Sequence, residues 1–346
     1  MPETLQGNNA EARLLADERF LRRIAYLYYD DGNSQEAVAE LENCSRQTVG
    51  KALQKARERG IVRIMVTPDA RAGYLRNLSR EVRLQLGLED LILVTGNNMH
   101  SIAPEDILGD VVIEIASAAA DYLDQLLTDA DILAVSGGRT FMRNLVRYTR
   151  PTKVLSHLQV VATIGFVETR TNYGDANLIA HDIAEAYGAS HLWFPAPAFL
   201  RDEAQLEAAR DLPIVKEGYE MMHRASVVVT SVFPPHTNEE LVIQQIITQK
   251  QREAIEAFQP AADINHWVFD ASGRCINKLL TPPPYFLSGL EIPGLKDKIK
   301  RGGTKVILVV GGSPAYIPAI RAILRAELAN ILVTDHVTAQ LLLRDT

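Results

Sequence analysis

The chain has 346 residues, of which 47% are hydrophobic and 23% are charged, a balance typical of a globular protein with two or more domains and one that excludes extensive disorder. Its formal net charge of −7 excludes a wholly basic nucleic-acid coat, so any DNA contact must come from a local patch. The two cysteines, Cys44 and Cys275, lack metal-ligand spacing, which argues against a disulfide framework and favours a reducing compartment.

The chain also lacks targeting and catalytic signatures. Its first fifteen residues contain no apolar signal-peptide core, and no apolar run approaches the length of a membrane span. The histidines are scattered without metal-ligand spacing, and no paired carboxylates or His–carboxylate pattern singles out a general base. We therefore expect a cytoplasmic protein with no membrane partner, no cofactor, no metal and no catalytic residue.

The N-terminal segment predicts three helices, and a tight turn joins the second to the third. Residues 12–29 carry apolar side chains at helical spacing, and Ser34 is placed to cap a second helix. Asn43 takes the turn, because a left-handed backbone is often needed there and Asn tolerates it. Glu42 stands just before the turn, where an apolar residue is more usual. We therefore expect Leu41 to take the inward position on a slightly rotated helix.

A third helix follows the turn. Ser45 is expected to cap it and Gly60 to end it. The alternating segment 61–66 predicts a short strand, and the charged segment 69–86 predicts a connecting helix.

The third helix is the candidate for reading DNA. Residues 45–63 carry an excess of about five positive charges, which is enough to attract a polyanion. In a helix-turn-helix the second helix enters the major groove with its first residues at the base edges. Because Arg suits guanine and Gln suits adenine, Arg46 and Gln47 are the predicted base readers. The predicted phosphate contacts are Gln35, Ser45, Thr48, Lys51 and Lys55. A solvated charged helix pair with another role is the alternative.

After residue 86 the pattern changes to short apolar runs separated by helical stretches. Strands that are buried on both faces and alternate with helices predict a mostly parallel sheet covered by helices. The predicted strands are 91–94, 132–136, 158–165, 191–198, 226–233, 305–312 and 330–335. The predicted helices are 106–127, 175–187 and 315–327. The fold class is therefore α/β.

Two glycine-rich turns follow predicted strands and precede predicted helices. The first is Ser136-Gly137-Gly138-Arg139-Thr140, and the second is Gly311-Gly312-Ser313. Such turns leave N–H groups pointing outward, and the helix dipole favours an anion there. Ligands of open parallel sheets gather at the carboxyl ends of the strands, where both turns lie. An ordinary tight turn is the alternative at each position.

Isolated polar residues beside apolar runs extend this candidate binding surface. Asp263, Asn265, Asp335 and Asp175 carry oxygens and amides suited to sugar hydroxyls. Each of them singly is more often a cap or loop residue, and Asp175 stands where it would cap the helix that follows it.

Several blocks, in a specific order and spacing, resemble one family over nearly all of the chain after residue 12. They are IAYLYYDDGNSQEAVAEL, SRQTVGKALQKARERGIVRI, DILAVSGGRTF, LWFPAPA, ADINHWVFDASG, VILVVGG and AILRAELANILVTDHVTAQLLL. The chain resembles the SorC family of bacterial sugar-responsive transcriptional regulators, relatives of the deoxyribonucleoside regulators. The resemblance implies a winged helix-turn-helix joined to an effector domain of the sugar-phosphate isomerase type, assembled as a dimer or tetramer.

By this resemblance the chain divides into a winged helix-turn-helix at 12–67, a helical connector at 68–86 and an effector-binding and oligomerisation domain at 87–346. The ligand site would include the Ser136–Thr140 loop, the Asp263 segment and the turn after Gly312.

Two departures from the family pattern fall in this site. Family members often carry a lysine about three residues after the paired glycines, where it meets the ligand's phosphate, whereas Ala315 or Tyr316 stands there in this chain. Losing that cation removes a charge-assisted contact of about 1.5–3 kcal/mol. The effector is then an unphosphorylated sugar, polyol or related acid, or Arg139 replaces the lysine. The segment SVFPPHTN (231–238) stands where the family tends to have a glycine-containing turn.

The sequence therefore predicts a homo-oligomeric transcription factor that binds double-stranded operator DNA and responds to a small sugar, polyol or sugar phosphate. An enzyme of the sugar-phosphate isomerase or deaminase type with an added DNA-binding module is one alternative. A constitutive architectural DNA-binding protein is another.

Overall fold

The computed structural model describes residues 13–62, 69–96, 110–167, 174–235, 241–243 and 245–344, with side chains described from residues 75 and 111 onward in the second and third of these ranges. The chain forms two compact units, Met1–Asp69 and Ala70–Thr346. Within the described ranges, no helix combines the length and apolarity that crossing a membrane requires.

Three helices pack around a small core in the part of the N-terminal unit from Asp17 to Val62. They are α1 (Glu18–Tyr29), α2 (Gln35–Leu41) and α3 (Arg46–Glu58). The core is formed by apolar side chains from all three helices. The first helix was predicted from residue 12 but begins at Glu18, because Asp17 has an extended backbone and its side chain accepts a hydrogen bond from Arg19 N. Ser34 and Ser45 cap the next two helices as predicted.

The turn between α2 and α3 confirms one prediction and corrects another. Asn43 adopts the left-handed conformation with φ of 49°, as expected. Leu41 does not face inward, since 57% of it is exposed. Glu42 takes the partly buried position instead, with only 12% of its side chain exposed, because Arg23 donates a 2.6 Å hydrogen bond to its carboxylate. The predicted strand at 61–66 lies mostly outside the described residues.

The C-terminal unit is built on a seven-stranded parallel sheet. Its strands are β1 (Asp90–Val94), β2 (Ile132–Val135), β3 (Gln159–Ala162), β4 (Ser190–Leu192), β6 (Val227–Thr230), β10 (Lys305–Val309) and β11 (Ile331–Asp335). They lie in the order β1-β11-β10-β6-β2-β3-β4, and every described pairing among them is parallel. The α/β prediction is confirmed. The strand predicted at 191–198 is wrong beyond Leu192, because the chain there leaves the ladder and forms a loop.

The helices of this unit are α4 (Asp69–Gln85), α5 (Asp110–Leu126), α6 (Phe141–Tyr148), α7 (Ala176–Tyr187), α8 (Glu203–Arg210), α9 (Pro213–Arg224), α10 (Gln249–Glu256), α11 (Ile276–Leu279), α12 (Leu295–Lys300), α13 (Ile317–Arg325) and α14 (His336–Leu343), with short 3₁₀ turns at Ile292–Gly294 and Pro314–Tyr316. Helices α5, α6 and α7 pack side by side on one face of the sheet. Helix α9 packs against β2 and β3 and, by the right-handed crossover rule, lies on the opposite face.

Two small antiparallel pairs stand outside the main sheet and were not predicted. Strand β5 (Phe199–Leu200) pairs with β9 (Phe286–Leu287), and β7 (Pro260–Ile264) forms a hairpin with β8 (Trp267–Asp270). The hairpin turn is Asn265-His266, and both residues have positive φ, as two-residue hairpins require. The hairpin packs against α13. Its turn contacts the main sheet, because Asn265 donates a hydrogen bond to Thr163 at the end of β3.

Candidate functional site

The sheet changes direction between β2 and β6. From β2 the chain proceeds to β3 on one side, whereas from β6, the other neighbour of β2, it proceeds to β10 on the opposite side. Ser136 N donates to Val229 O at 3.0 Å, so the two strands stay together to the start of their loops. Open α/β sheets bind ligands where the strand order reverses, at the carboxyl ends of the strands. We refer to the ends of β2 and β6 with their loops (136–140 and 231–233) as the switch crevice.

The first glycine turn forms one wall of the switch crevice. Gly138 has φ of +145° and its N–H donates to Gly174 O at 2.8 Å. A Cβ atom on Gly137 would lie 2.7 Å from the same carbonyl oxygen, so only glycine permits this approach. Ser136 is buried and its hydroxyl donates to Gly137 O at 3.2 Å. These contacts hold the turn against the residues that precede α7.

The far end of this turn begins α6. Arg139 is exposed, and Thr140 precedes the helix without any capping bond from its side chain to the described backbone. The first amides of α6 therefore keep the anion-attracting character of a helix start. Thus the predicted pattern of a strand, a glycine turn and a helix exists, with a cation beside it.

The hairpin closes the opposite side of the crevice. Asp263 and Phe233 exchange two backbone hydrogen bonds of 2.9 and 3.0 Å. Asn265 Nδ2 donates to Thr163 Oγ1 at 2.8 Å, which ties the hairpin turn to the end of β3. The structure therefore brings Asp263 and Asn265 to the same region as the first glycine turn. The ring of Phe233 reaches that turn directly, since its Cζ lies 3.6 Å from the position of a Cβ atom on Gly138.

The polar groups of the hairpin and of the neighbouring Tyr285 are hydrogen-bonded to one another. Asp263 is 3% exposed, and its Oδ1 accepts a 2.8 Å hydrogen bond from His266 N. Tyr285 donates to His266 O at 2.6 Å. Burial, aided by the nearby Asp263 carboxylate, raises the pKa of Tyr285 far above its ordinary value, so the phenol stays protonated and remains a donor.

Thr163, at the end of β3, was not predicted as a site residue, and Ser231 and Phe233 were noted only as part of the segment 231–238, without a role of their own. Ser231 is 2% exposed, and its hydroxyl has no hydrogen-bond partner among the residues that the structure describes. The available signal was the segment SVFPPHTN, which places side chains where the family pattern has a glycine-containing turn.

The second glycine turn is committed to the protein itself. Gly312 N–H donates to Asp335 Oδ2 at 2.6 Å. A Cβ atom on Gly311 would lie 2.5 Å from Thr334 Oγ1 and 2.7 Å from Asp335 Oδ2. Asp335 also caps α14, accepting hydrogen bonds from Val337 N and Thr338 N at 3.0 Å. Among the side chains considered for sugar binding, Asp335 and Asp175 are thus helix caps.

An aromatic contact links the two glycine turns. Phe141, the first residue of α6, packs its ring edge to face with Tyr316 at 5.9 Å between centroids. Burial raises the pKa of Tyr316, so its phenol is neutral at physiological pH. The Phe141–Tyr316 contact places the second turn beside the start of α6, as a wall rather than as an open cradle.

A group of side chains on α7 has metal-ligand geometry. Within the described part of the chain, single ligand atoms of His181, Asp182 and Glu185 lie within 4.8 Å of one another. Asp182 also accepts a 2.6 Å hydrogen bond from Arg143. The paired guanidinium competes with a cation for this carboxylate, and surface acidic groups of this kind are common without a metal.

In the N-terminal unit, the predicted DNA contacts at the start of α3 fall into two groups, the capping hydroxyls and the exposed side chains. Ser45 Oγ accepts from Thr48 N at 3.0 Å and lies 2.8 Å from Thr48 Oγ1, so both hydroxyls serve the helix cap. Gln47 is exposed, and Arg46 is exposed while pairing with Glu36 at 2.9 Å.

The remaining predicted DNA contacts lie along α3 and at the start of α2. Lys51 is exposed, whereas Lys55 and Gln35 are half-buried. Gln35 lies beside Gly50, with its Oε1 at 3.8 Å from the position of a Cβ atom there. The exposed basic side chains therefore extend along α3 from its first residue.

A family profile described as "Putative sugar-binding domain" matches residues 74–344. This range holds the parallel sheet, both glycine turns and the hairpin. The chain belongs to the SorC family of sugar-binding bacterial transcriptional regulators. The resemblance seen in the sequence motifs is thereby confirmed.

Relatives of this SorC-family chain span nearly its full length. The deoxyribonucleoside regulator of Bacillus subtilis is 26% identical over 322 residues, covering 93% of this chain and 96% of that protein. The erythritol catabolism regulatory protein EryD of Brucella abortus is 23% identical over 336 residues, covering 95% and 97%. The crystal structure of the full-length sorbitol operon regulator SorC from Klebsiella pneumoniae shares the fold with a TM-score of 0.64 at 21% identity, covering 94% of this chain and 99% of that one.

These relatives are regulators, and the SorC-family chain is likewise a ligand-responsive transcriptional regulator rather than an enzyme.

Proposed function

We propose that this regulator controls a carbohydrate or polyol catabolic operon. The segment 12–67 binds operator DNA, the domain at 87–346 binds a small effector and forms a homo-oligomer, and the connector at 68–86 links the two. Named functions of relatives support the choice of operon, since they include control of erythritol catabolism and of a sorbitol operon. Because the operator lies on the bacterial chromosome, the regulator acts in the cytoplasm.

The DNA end of the proposal rests on α3. Arg46 and Gln47 are exposed at its start, where a recognition helix meets base edges, and they read the sequence. Glu36 holds the Arg46 guanidinium in the absence of DNA, and guanine takes its place on binding. The sugar-phosphate backbone is contacted by Gln35, Ser45, Thr48, Lys51 and Lys55, with the two capped hydroxyl residues contributing chiefly the amides at the helix start.

The effector end rests on the switch crevice. The observation that carries it is the set of hydrogen bonds from the hairpin to Phe233 and to Thr163 at the end of β3, which gathers hydroxyl, amide and carboxylate groups at the strand-order reversal. Ser136, Gly137, Gly138, Asp263 and Asn265 contact hydroxyl groups of a sugar or polyol. Arg139 and Thr140 stand beside the start of α6, where an acidic or phosphorylated end is received. The turn at Gly311 and Gly312 forms an adjoining wall.

Regulation requires that the effector bind one arrangement of the oligomer better than another. A dimer or tetramer presents two recognition helices to two half-sites, and their spacing decides the fit to the operator. A tenfold effect of ligand on operator affinity corresponds to a coupling free energy of about 1.4 kcal/mol. Differences of this size arise from one or two hydrogen bonds that form in only one arrangement.

The proposal is tested by selecting operator-like duplexes from a random pool with the full-length protein. The affinity for the selected duplex is then measured by fluorescence anisotropy with and without erythritol, D-sorbitol, D-ribose, 2-deoxy-D-ribose and their phosphate esters. One ligand class is expected to change the affinity at least tenfold and to raise the thermal midpoint of the protein. Ligand-independent DNA binding across the panel would contradict the effector role and favour an architectural DNA-binding protein.

A further inference from the structure

A buried hydroxyl group in the switch crevice has no hydrogen-bond partner among the residues that the structure describes. Ser231 is 2% exposed, and no described residue accepts from or donates to its Oγ atom. Its neighbours in the crevice behave differently. Thr230 Oγ1 donates to Ser231 O at 3.3 Å, and Ser136 Oγ donates to Gly137 O at 3.2 Å. Since folded proteins pair nearly all buried polar groups, an exception calls for a physical reason.

The position of Ser231 indicates that reason. Val135 pairs with Val229, so continuing the register two residues places Ser231 beside Gly137, the first glycine of the ligand turn. Two residues further along the chain, Phe233 contacts the same turn near Gly138 and pairs with Asp263. Ser231 therefore lies at the strand-order reversal, in the crevice loop that runs beside the first glycine turn.

The residues near Ser231 indicate which chemical group can pair with its hydroxyl. Asp263 is a buried residue of strand β7 whose backbone pairs with Phe233, and a carboxylate there disfavours a second anion nearby. The described cation of the first glycine turn, Arg139, is exposed at the rim. A neutral hydroxyl group can both donate to and accept from the Ser231 hydroxyl, whereas an anion can only accept and would also be repelled by a carboxylate at Asp263.

We propose that Ser231 is a specificity-determining residue of the effector crevice, whose hydroxyl pairs with an uncharged hydroxyl group of a sugar or polyol. This inference rests on the proposed effector role of the same crevice. Because the Ser231 hydroxyl is sealed from solvent, a ligand reaches it only when the 231–233 segment separates from the first glycine turn. The hydrogen bond then forms in the bound arrangement alone, and it contributes directly to the difference between free and bound states.

The test compares full-length wild-type protein with the Ser231→Ala variant. Dissociation constants are measured by calorimetry for D-sorbitol, erythritol, D-ribose and D-ribose 5-phosphate, and for monodeoxy analogues of the tightest binder. Ser231→Ala is expected to weaken binding of the tightest uncharged ligand about tenfold. One monodeoxy analogue is expected to bind wild type about tenfold more weakly and to bind the variant as well as the parent ligand does. The unliganded variant keeps or raises its thermal midpoint, because it has lost an unpaired buried group.

A matched control is Thr334→Val. Thr334 is fully buried on β11, and its hydroxyl also lacks a partner among the described residues. It lies two strands away from β6 across β10, beside the turn that is committed to Asp335. This variant is expected to keep wild-type ligand affinity.

Two outcomes overturn the inference in distinguishable ways. If Ser231→Ala binds the ligand as wild type does, matching Thr334→Val, then the unpaired hydroxyl has no ligand role while the effector proposal stands. If wild type binds none of the probes, the effector proposal fails and the role of Ser231 fails with it.

Discussion

Asp335 joins two parts of the C-terminal unit, and removing its carboxylate tests that role. Its Oδ2 accepts hydrogen bonds of 2.6 Å from Gly312 N and from Thr338 Oγ1. Its Oδ1 accepts 3.0 Å bonds from Val337 N and Thr338 N, which cap α14. The residue is 1% exposed. The Asp335→Ala variant deprives all four donors of their acceptor.

The expected loss of stability follows from these contacts. An N-cap contributes about 1 kcal/mol. Each buried donor left unpaired costs about 1–3 kcal/mol, and the Gly312 amide and the Thr338 hydroxyl are both in that position. The sum is about 3–7 kcal/mol, which lowers the thermal midpoint of a domain of this size by roughly 10 °C or more. Asp335→Asn should lose about half as much, because one oxygen still caps α14 while its amide group faces the Gly312 donor.

The assay is thermal unfolding followed by tryptophan fluorescence. Both tryptophans, Trp193 and Trp267, lie in the C-terminal unit, so the signal reports that unit. Asp175→Ala is the matched control, because the Asp175 carboxylate caps α7 through bonds of 2.9 and 3.3 Å and accepts no described hydrogen bond from a glycine turn. The control is expected to lose only about 1 kcal/mol. Equal losses in Asp335→Ala and Asp175→Ala would refute the reasoning, since the bond to Gly312 would then contribute nothing.

Three further predictions concern helix α3, the first glycine turn and acid stability. Arg46→Ala should relax base preference at one operator position by about 1–3 kcal/mol, whereas Lys55→Ala should weaken binding to all duplexes and reduce the salt slope of binding by about one. Anisotropy titrations over a salt series separate these results. Full sequence selectivity in Arg46→Ala would contradict its assignment as a base reader. Arg139→Ala should abolish ligand-induced thermal stabilisation while leaving operator affinity intact, and an unchanged ligand response would remove Arg139 from the site. Burial raises the pKa of Asp270, but hydrogen bonds from Ser272 and Arg274 outweigh burial and lower this pKa from 3.8 to about 2. Because the folded pKa lies below the unfolded one, this stability of about 2 kcal/mol is present above pH 4 and lost as the pH falls toward 2, so Asp270→Asn should flatten the unfolding free energy over that window and be less stable at pH 7.

The turn before α3 shows where sequence reasoning failed and why. Asn43 was predicted correctly, because the need for positive φ is a property of the backbone at that residue. Leu41 was misplaced, because the prediction assumed that an apolar side chain would displace Glu42 from the partly buried position. The partner that neutralises Glu42 is Arg23, which lies nineteen residues earlier on α1. Nothing local to the turn identifies that partner.

The two glycine turns also show that a local sequence pattern does not identify partners from distant parts of the chain. Both have the same local pattern, a strand followed by paired glycines and a helix, and both were predicted to offer amides to a ligand. In the structure, Asp335 occupies the Gly312 amide, whereas Gly138 is held by a carbonyl at Gly174 and leaves the start of α6 without a side-chain cap from Thr140. The partners that decide this difference come from distant positions in the chain.

Local properties were therefore readable from the order of the residues. The helix caps at Ser34, Ser45 and Asp175, the α/β alternation and the charge on α3 depend on neighbours within a few residues, and their physical causes act at that range. The strand order, the reversal between β2 and β6 and the approach of the 263–266 hairpin required the tertiary structure. So did the burial of Ser231 and the absence of a described partner for its hydroxyl, because burial and hydrogen-bond pairing are set by segments that meet only after the chain has folded.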